Sequence, residues 1–586
     1  MPLKSDKAIR NFKDDSIIKY YHEIDNKFID GIKLLQQNEI NSAKNIFNQI
    51  LYINPRHFAS LHILGIIAAN NNEHLLALEL IGKALFINKN DVQALCNYGD
   101  SLQVLNRLGE AISTYSMAIE TNPNYAEAYY KKGVVLNKIC KYHDAIANFD
   151  KVIELKPDYA KAYNDRGIAL LGLKIFNEAL NCFIKALELK ADFTDAHNNL
   201  GVTMLELHNL DKALISFKKV IELQPDHLEA RINLGNLLLD MGFLEDACTN
   251  YDEAINIKPD KAEAYFGKSL TLLLFGEFKK GFELYDWRWE TNKFIGQKPV
   301  FSKPVWKGEI IKERLFIWGE QGLGDQILYS SIFNELFGYM PNVIVGIDKR
   351  LITLYQRSFP NIKFVDNKEV LSENDFGYQI AIGSTAQYFR SIYNDFEKST
   401  FPYLYSDKSK NIEISAKLKR PGKIICGISW RSVNQDIGEY KSIPLNEFEP
   451  LLRLENIRFI NLQYKSDYIK DCAITKYRKN IHDVNDVDIY TDIDSLSSII
   501  QACDIVITCS NTTAHLAGAL NKTTLLLLPA AVGRLWYWSE NNGKSIWYPS
   551  IRVFRQKISG DWSKPINEIE QYLMNIDDGS NHEMQK

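Results

Sequence analysis

The stretch from Gly133 to Pro157, GVVLNKICKYHDAIANFDKVIELKP, decides how the first half of the chain is read. Gly133 is followed twelve residues later by Ala145 and sixteen later by Phe149, and Pro157 closes the stretch. The same order recurs on both sides at a step of 34 residues, with glycines at 31, 65, 99, 133, 167, 201 and 235 and alanines at 43, 77, 111, 145, 179, 213 and 247. Phe47, Ile81, Tyr115, Phe149, Phe183, Phe217 and Tyr251 fill the apolar place, and Pro55, Pro123, Pro157, Pro225 and Pro259 the closing one. A constant period over seven copies means a stack of like supersecondary units, each too small to bury its apolar face alone.

This pattern resembles the tetratricopeptide repeat, a helix-turn-helix unit in which the small residues sit where two helices cross. The register predicts an α-solenoid over residues 24–290 behind an N-terminal segment, 1–23, with a degenerate eighth unit, Ala262 to Glu290, in which Gly281 takes the alanine place. Two residues before most of the repeat glycines stands a polar residue: Asn97, Lys131, Asp165, Asn199 and Asn233. The array resembles that of eukaryotic O-GlcNAc transferase, which implies that Asn97, Asn199 and Asn233 hold the backbone of an extended peptide. An amide pairs with peptide N–H and C=O alike; the competing reading is a row of solvated helix-surface side chains. The array as a whole is expected to bind protein, and a homodimer is left open.

Composition narrows the partners. Of 586 residues, 69 are Lys or Arg and 73 Asp or Glu, so there is no basic excess to draw the chain to nucleic acid. The N-terminus, MPLKSDKAIRNFKDD, has no apolar leader and no run is long enough to span a bilayer, so a cytoplasmic protein without membrane insertion is expected. Eight cysteines (96, 140, 182, 248, 426, 472, 503, 509) form no CxxC pair and have no histidine companions, which argues against a metal site and a disulfide framework.

The register ends in WRWETNKFIGQKPVFSKPVW (287–306), and residues 291–312 read as a junction. Beyond it short apolar runs alternate with helical ones: Leu315–Trp318, Val343–Ile347, Ile362–Val365 and Gln379–Ile382, then Ile424–Ser429, Phe459–Gln463, Ile505–Thr508 and Thr524–Leu528. The Lys- and Ser-rich break from Asp407 to Lys423 separates two groups of about four strands. The economical reading is an α/β region of two doubly wound, Rossmann-like halves, 313–415 and 416–570, followed by a polar tail, 571–586.

Between the run Leu315–Trp318 and a helical stretch, Gln326 to Phe337, lies the loop GEQGLGD (319–325). Glycines such as Gly322 and Gly324 let a strand turn tightly while something approaches the backbone. A Walker loop fails, since Asp325 and Gln326 follow Gly324, and a dinucleotide fingerprint fails, since Ile327 stands where its third glycine belongs; Asp348 leaves only a weak NAD alternative. What remains is Asp325 at a helix N-terminus, either a general base held ionised by the helix dipole or simply a cap.

Further on, the strand ending in CGISWR carries Ser429 and Arg431 into a loop that reaches Lys441, a set suited to a diphosphate. The segment from Cys503 to Leu520 reads as a buried strand ending in Ser510-Asn511-Thr512-Thr513 and a helix bearing His515 in its first turn, a ready phosphate site. His515 would donate to a phosphate or sugar hydroxyl, or pack as a satisfied core histidine.

Residues 315 to about 565 resemble the GT-B glycosyltransferases of the heptosyltransferase type, on GEQGLGDQI (319–327), CGISWR (426–431), YKSIPL (440–445), LQ (462–463), TTAHLAGAL (512–520) and WYPSIRVFRQ…DW (547–562). The resemblance implies Asp325 as the acceptor-activating base, Lys441 as the cation on the donor diphosphate, and Thr512, Thr513 and His515 as the donor-phosphate segment. Gln463, Ser510 and Asn511 complete the donor side. Ser510 departs from the family's acid at that place, so the sugar does not carry over. Asp486-Val-Asp488 has the form of a metal motif from the other glycosyltransferase fold, but GT-B enzymes work without metal, and no cofactor is expected beyond the nucleotide-sugar co-substrate. The implied activity is transfer of a sugar from a nucleotide-sugar to a Ser or Thr hydroxyl of a protein recruited by the array, with a flagellar or surface protein as the client the analogy suggests. The rivals are a non-catalytic scaffold with a vestigial α/β half, and an enzyme acting on lipid-linked sugar.

Overall fold

A computed structural model describes residues 22–320, 322–369, 371–434, 437–463, 478–484, 487–533 and 535–577. Cys472 and Asp486, named above, lie outside the described residues. The chain divides into two compact units, Met1–Pro225 and Asp226–Lys586.

The first unit is helical hairpins throughout. From Phe58 on, each pairs a helix of 13 residues with one of 14, as in Val92–Val104 with Leu108–Thr121 and Ala126–Lys138 with Tyr142–Leu155. In the second helix of each pair the buried side chains recur at helical spacing, Ala145, Phe149 and Val152 for example, which gives one apolar stripe per helix. The repeat glycine has a steric cause: a Cβ on Gly133 would lie 2.7 Å from the Phe149 ring, and one on Gly99 2.5 Å from that of Tyr115. The first helix of each pair ends in a residue with φ near +60°, at Asn38, Asn72, Asn106, Cys140, Lys174 and His208. Asparagine tolerates this left-handed stop well, and Cys140 and Lys174 occupy it against their steric preference.

The second unit opens with two more hairpins, Leu228–Met241 with Leu244–Ile257 and Ala262–Phe275 with the short Phe278–Tyr285. At the same phase of the period these stop on Gly242 and Gly276, with φ of 85° and 91°. Phe282 meets Trp536 edge-on at 5.5 Å and Phe278 packs on Phe396 at 4.8 Å, so the last hairpin shares one apolar core with the α/β part. That shared core is why the compact units divide at 225/226 rather than where the register ends.

Two sheets follow. The first is fully parallel, in the order β3-β2-β1-β4, with β1 Leu315–Trp318, β2 Val343–Ile347, β3 Lys363–Asp366 and β4 Tyr378–Ala381. Part of the expected junction belongs to it, since Val305 bridges Gln379 on the β4 edge and Trp306 is fully buried. The second has eight strands where about four were expected, in the order β10-β11-β12-β9-β8-β5-β6-β7. They are β5 Ile424–Ser429, β6 Ile457–Asn461, β7 Ile481–His482, β8 Ile505–Cys509, β9 Thr524–Leu528, β10 Glu540–Asn541, β11 Lys544–Ser545 and β12 Ile551–Arg555. Three of the four unforeseen strands are two residues long, too short to leave an apolar pattern. β5 to β9 and β12 run parallel, with an antiparallel pair added at the edge.

Two further expectations are corrected. The break at Asp407–Lys423 is mostly a helix, Lys408–Leu418, capped by Asp407 and holding Ile414 and Leu418 in the core, so a boundary at 415/416 would cut it. The helix after the glycine loop starts earlier, at Leu323, and is interrupted: Leu323–Tyr329, a 3₁₀ turn at Ser330–Ile332, then Phe333–Tyr339.

Candidate functional site

In open parallel sheets ligands settle beyond the carboxyl ends of the strands, where the strand order reverses. In the first sheet β1 lies between β2 and β4, and in the second β5 lies between β6 and β8. The loops leaving β1, β5 and β8 meet in one cleft of about 270 Å³. Its walls include Gly322, Gly324 and Asp325 after β1, Arg350 after β2, Ser432 and Lys441 after β5, Ser510, Asn511, Thr512 and His515 after β8, and Tyr490 and Tyr537.

Asp325 is both cap and cleft residue: its Oδ2 accepts from the Gly322 N–H at 3.2 Å, closing the first turn of the Leu323 helix. Burial pushes its carboxyl up to about 6, with Glu320 adding to the rise and the Gly322 amide and Lys441 opposing it. Lys441 is 5% exposed, and burial depresses its ammonium below the usual lysine range. Among the described residues its Nζ makes no hydrogen bond or ion pair, although Asp325 and His515 are close enough for mutual electrostatic influence.

His515 is a wall rather than a free acid. Its ring stacks on Trp538 at 4.6 Å, its Nδ1 lies 3.0 Å from the Tyr548 hydroxyl, and burial presses its pKa down to about 3, leaving it neutral. Gly324 packs against that ring so closely that a Cβ would sit 2.7 Å from Cδ2. Gly322 has no such internal reason, since a Cβ there would meet only Asp325 Oδ2 at 3.5 Å. Its room opens onto the cleft.

The donor-side residues divide. Asn511 caps the Thr512–Ala519 helix and donates to Ser429 Oγ at 2.7 Å and to the Arg431 carbonyl at 3.2 Å. Gln463 Oε1 accepts from the Trp430 and Arg431 N–H groups and from Ser429 Oγ. Ser429, Gln463 and Thr513 therefore stand behind the cleft wall: Asn511 fixes the β5 loop to the β8 loop through Ser429 and the Arg431 carbonyl, Gln463 fixes it to the end of β6, and Thr513 is fully buried with its hydroxyl unbonded among the described residues. Ser510, in the wall, accepts from Trp538 Nε1 at 2.8 Å. Arg350 was missed by the sequence reading. It is held by both oxygens of Asp348 at 2.9 Å and lies over the Tyr490 ring at 5.2 Å, so Asp348 is occupied and the NAD alternative loses its ribose partner. Only the strand order brings Arg350 to this place.

Beside the cleft, Arg288 is fully buried and donates to both oxygens of Glu320 at 3.1 and 2.8 Å, with Tyr285 and Trp289 rings against its guanidinium. Glu320 also accepts from the Gly383 N–H at 2.8 Å. This ion pair fixes the base of the glycine loop to the end of the last hairpin.

In the first unit the polar ladder runs sideways. Asn97 Nδ2 lies 3.0 Å from His62 Nε2, Tyr130 donates to Asp165 at 2.7 Å, and Asn199 donates to Asn164 at 2.9 Å, each pair 35 residues apart. Lys131 turns instead to Asp100 at 2.5 Å and Glu127 at 3.2 Å. Neighbouring repeats are thereby tied together, which the solvated-surface reading did not foresee. Asn233 belongs to the second unit.

Comparison with known proteins places tetratricopeptide repeats in the chain. Models described as TPR repeat and tetratricopeptide repeat match residues 99–139, 126–159, 194–227 and 228–261. Protein FlbA of Caulobacter vibrioides is 26% identical over 329 residues, 52% of this chain and 54% of FlbA, so the chain spans about half the length of this curated relative. Among solved structures, YrrB, a TPR protein with an unusual peptide-binding site, is 30% identical over 32% of this chain and 98% of its own, with a TM-score of 0.27. MamA of Desulfovibrio magneticus is 25% identical over 29% of this chain and 96% of its own, with a TM-score of 0.28. The repeats point to protein binding. No helix of the described residues is long and apolar enough to cross a membrane, and no group of His, Cys, Asp and Glu among them is placed to hold a metal ion.

Proposed function

We propose that the two parallel-sheet halves form a GT-B glycosyltransferase which moves a sugar from a nucleotide-sugar to a Ser or Thr hydroxyl of a protein recruited by the repeats. The observation that carries this reading is Lys441: a buried ammonium, unpaired among the described residues, in the wall of a cleft at the carboxyl ends of both sheets. The Asp325 carboxylate influences this ammonium without pairing with it, so the buried charge is poorly compensated, and a bound diphosphate supplies direct partners. The N-terminus of the Thr512 helix adds positive potential to the same cleft.

Asp325 then serves as base. A carboxyl raised to about 6 is largely ionised at neutral pH yet more basic than an ordinary aspartate, which suits removal of a hydroxyl proton as the sugar is transferred. Neutral His515 contributes shape and, through its free edge, a hydrogen-bonding nitrogen. On the array, Asn97 and Asn199 spend an amide hydrogen on the neighbouring repeat and retain their carbonyl oxygens for a client's backbone. The client's nature as a flagellar or surface protein rests on analogy alone.

The test is incorporation of label from radioactive nucleotide-sugars (UDP-, GDP-, ADP- and CMP-linked) into proteins of a cell extract. Wild-type protein is expected to label a discrete band and Asp325→Asn to lose it; equal labelling by the variant, or none by either, counts against the reading.

A further inference from the structure

The opposite ends of the second sheet carry a feature that the cleft does not use. The amino-terminal ends of β5, β6 and β7 open onto a groove of about 780 Å³, whose charged lining is Arg420, Lys423, Arg453, Arg458 and Lys479 against one acid, Glu455. Five cations to one carboxylate is a local excess in a chain of net charge −4. Elsewhere buried and partly buried cations meet acids, as Arg357 meets Asp494 at 2.7 Å, Arg390 meets Glu335 at 2.7 Å and Arg166 meets Asp150 at 2.7 Å.

In the groove, among the described residues, only Arg453 pairs with a carboxylate, that of Glu449 at 2.6 Å. Arg420 donates to the carbonyls of Lys417 and Lys419, and Lys423 to the carbonyl of Glu455. Arg458, on β6, lies near enough to Arg420 for mutual repulsion, and its Nε is closed off from solvent with no acceptor among the described residues. A shielded donor without a partner is rare because it forfeits its hydrogen bond with water. An anion bound between Arg420 and Arg458 would satisfy it and relieve the repulsion.

We propose that this groove is a second anion site, binding a compound that carries two or more adjacent phosphates. Guanidinium forks pair with phosphate oxygens two at a time, and Arg458 with Arg420 beside it presents such groups to the groove. The cations fall within one concavity rather than along a stripe, which fits a compact polyphosphate better than an extended nucleic-acid backbone. β5, six residues long, separates this groove from the cleft by about 20 Å at roughly 3.3 Å per residue, so one small ligand cannot occupy both. The site therefore stands or falls independently of the proposed transfer activity.

Calorimetric titration of inorganic tripolyphosphate into the full chain carrying Lys441→Ala, which silences the cleft, tests it. Binding is expected, at least about tenfold weaker when Arg458→Gln and Lys479→Glu are added, and weakening as salt is raised. Lys423→Glu, at an exposed position, should give a loss of the same sign if the double variant folds poorly. Absence of binding by the Lys441→Ala chain, or binding unchanged in the groove variants, overturns the proposal. Capture by phosphatidylcholine vesicles containing phosphatidylglycerol, without any response to tripolyphosphate, also overturns it and assigns the groove to a membrane surface.

Discussion

Replacing Arg288 with methionine tests whether the buried ion pair beside the glycine loop holds the second unit together. The substitution keeps the apolar stem against Tyr285 and Trp289 but removes both bonds to Glu320, the ion pair with the half-exposed Asp286 carboxylate at 2.5 Å, the bond to Ser384 Oγ at 2.9 Å and that to the Tyr285 carbonyl at 3.0 Å. Glu320, whose side chain is 3% exposed, keeps among the described residues only the Gly383 amide as a donor, at 2.8 Å. Stranding one partner of a buried pair costs about 3–5 kcal/mol, whereas neutralising both is close to neutral. Arg288→Met should therefore lose about 3–5 kcal/mol, and Arg288→Met with Glu320→Gln should recover more than half of it. All nine tryptophans lie between Trp287 and Trp562, so urea unfolding followed by tryptophan fluorescence reports on the second unit. A loss under about 1 kcal/mol, or additive single and double variants, would refute the reasoning.

Further expectations follow from the same structure. Because Asp325 has its folded pKa raised to about 6, its ionisation opposes folding above that pH and the penalty vanishes below the unfolded value; Asp325→Asn should stabilise the second unit at pH 8 by about 1 kcal/mol, after discounting for partial exposure, and by almost nothing at pH 4. An equal gain at both pH values in urea melts contradicts that assignment. Gly324→Ala drives a methyl into the His515 ring, itself fixed by Trp538 and Tyr548, and should cost about 1–3 kcal/mol in the same melts. Lys174→Gly removes a side chain from a left-handed stop at φ 60° and should stabilise the first unit by about 0.5–1 kcal/mol by circular dichroism; a loss would mean the side chain holds a contact that matters more.

The repeat half was legible because its signal is redundant: every period repeats the glycine and the ring that fills its missing Cβ, as Gly133 and Phe149 do. The left-handed stops were invisible as a class because three residue types besides asparagine occupy them, and the sideways ladder because its 35-residue spacing depends on how neighbouring repeats stack. In the α/β half most of the longer strands could be read, whereas the two-residue β7, β10 and β11 could not, and β12 was missed because arginines interrupt its apolar residues, as in Ile551-Arg-Val-Phe-Arg555. The loops bearing Asp325, Lys441 and His515 were read as chemistry-bearing from residue type and order, and strand order brings all three to one cleft. Ser429 and Gln463 were named as ligands, yet hydrogen bonds hold their side chains behind the wall, a distinction that depends on which way a loop turns. Arg350 had no local signal, since its place comes from β2 lying beside β1 and from the grip of Asp348.

The central claim is that Lys441 awaits a diphosphate. Calorimetric titration of UDP, GDP and ADP into the wild-type chain and Lys441→Ala tests it most directly. The account predicts that at least one nucleotide binds the wild type and binds the variant at least about tenfold more weakly, a difference of about 1.4 kcal/mol. Binding of none of the three, or equal affinity in the variant, would contradict it.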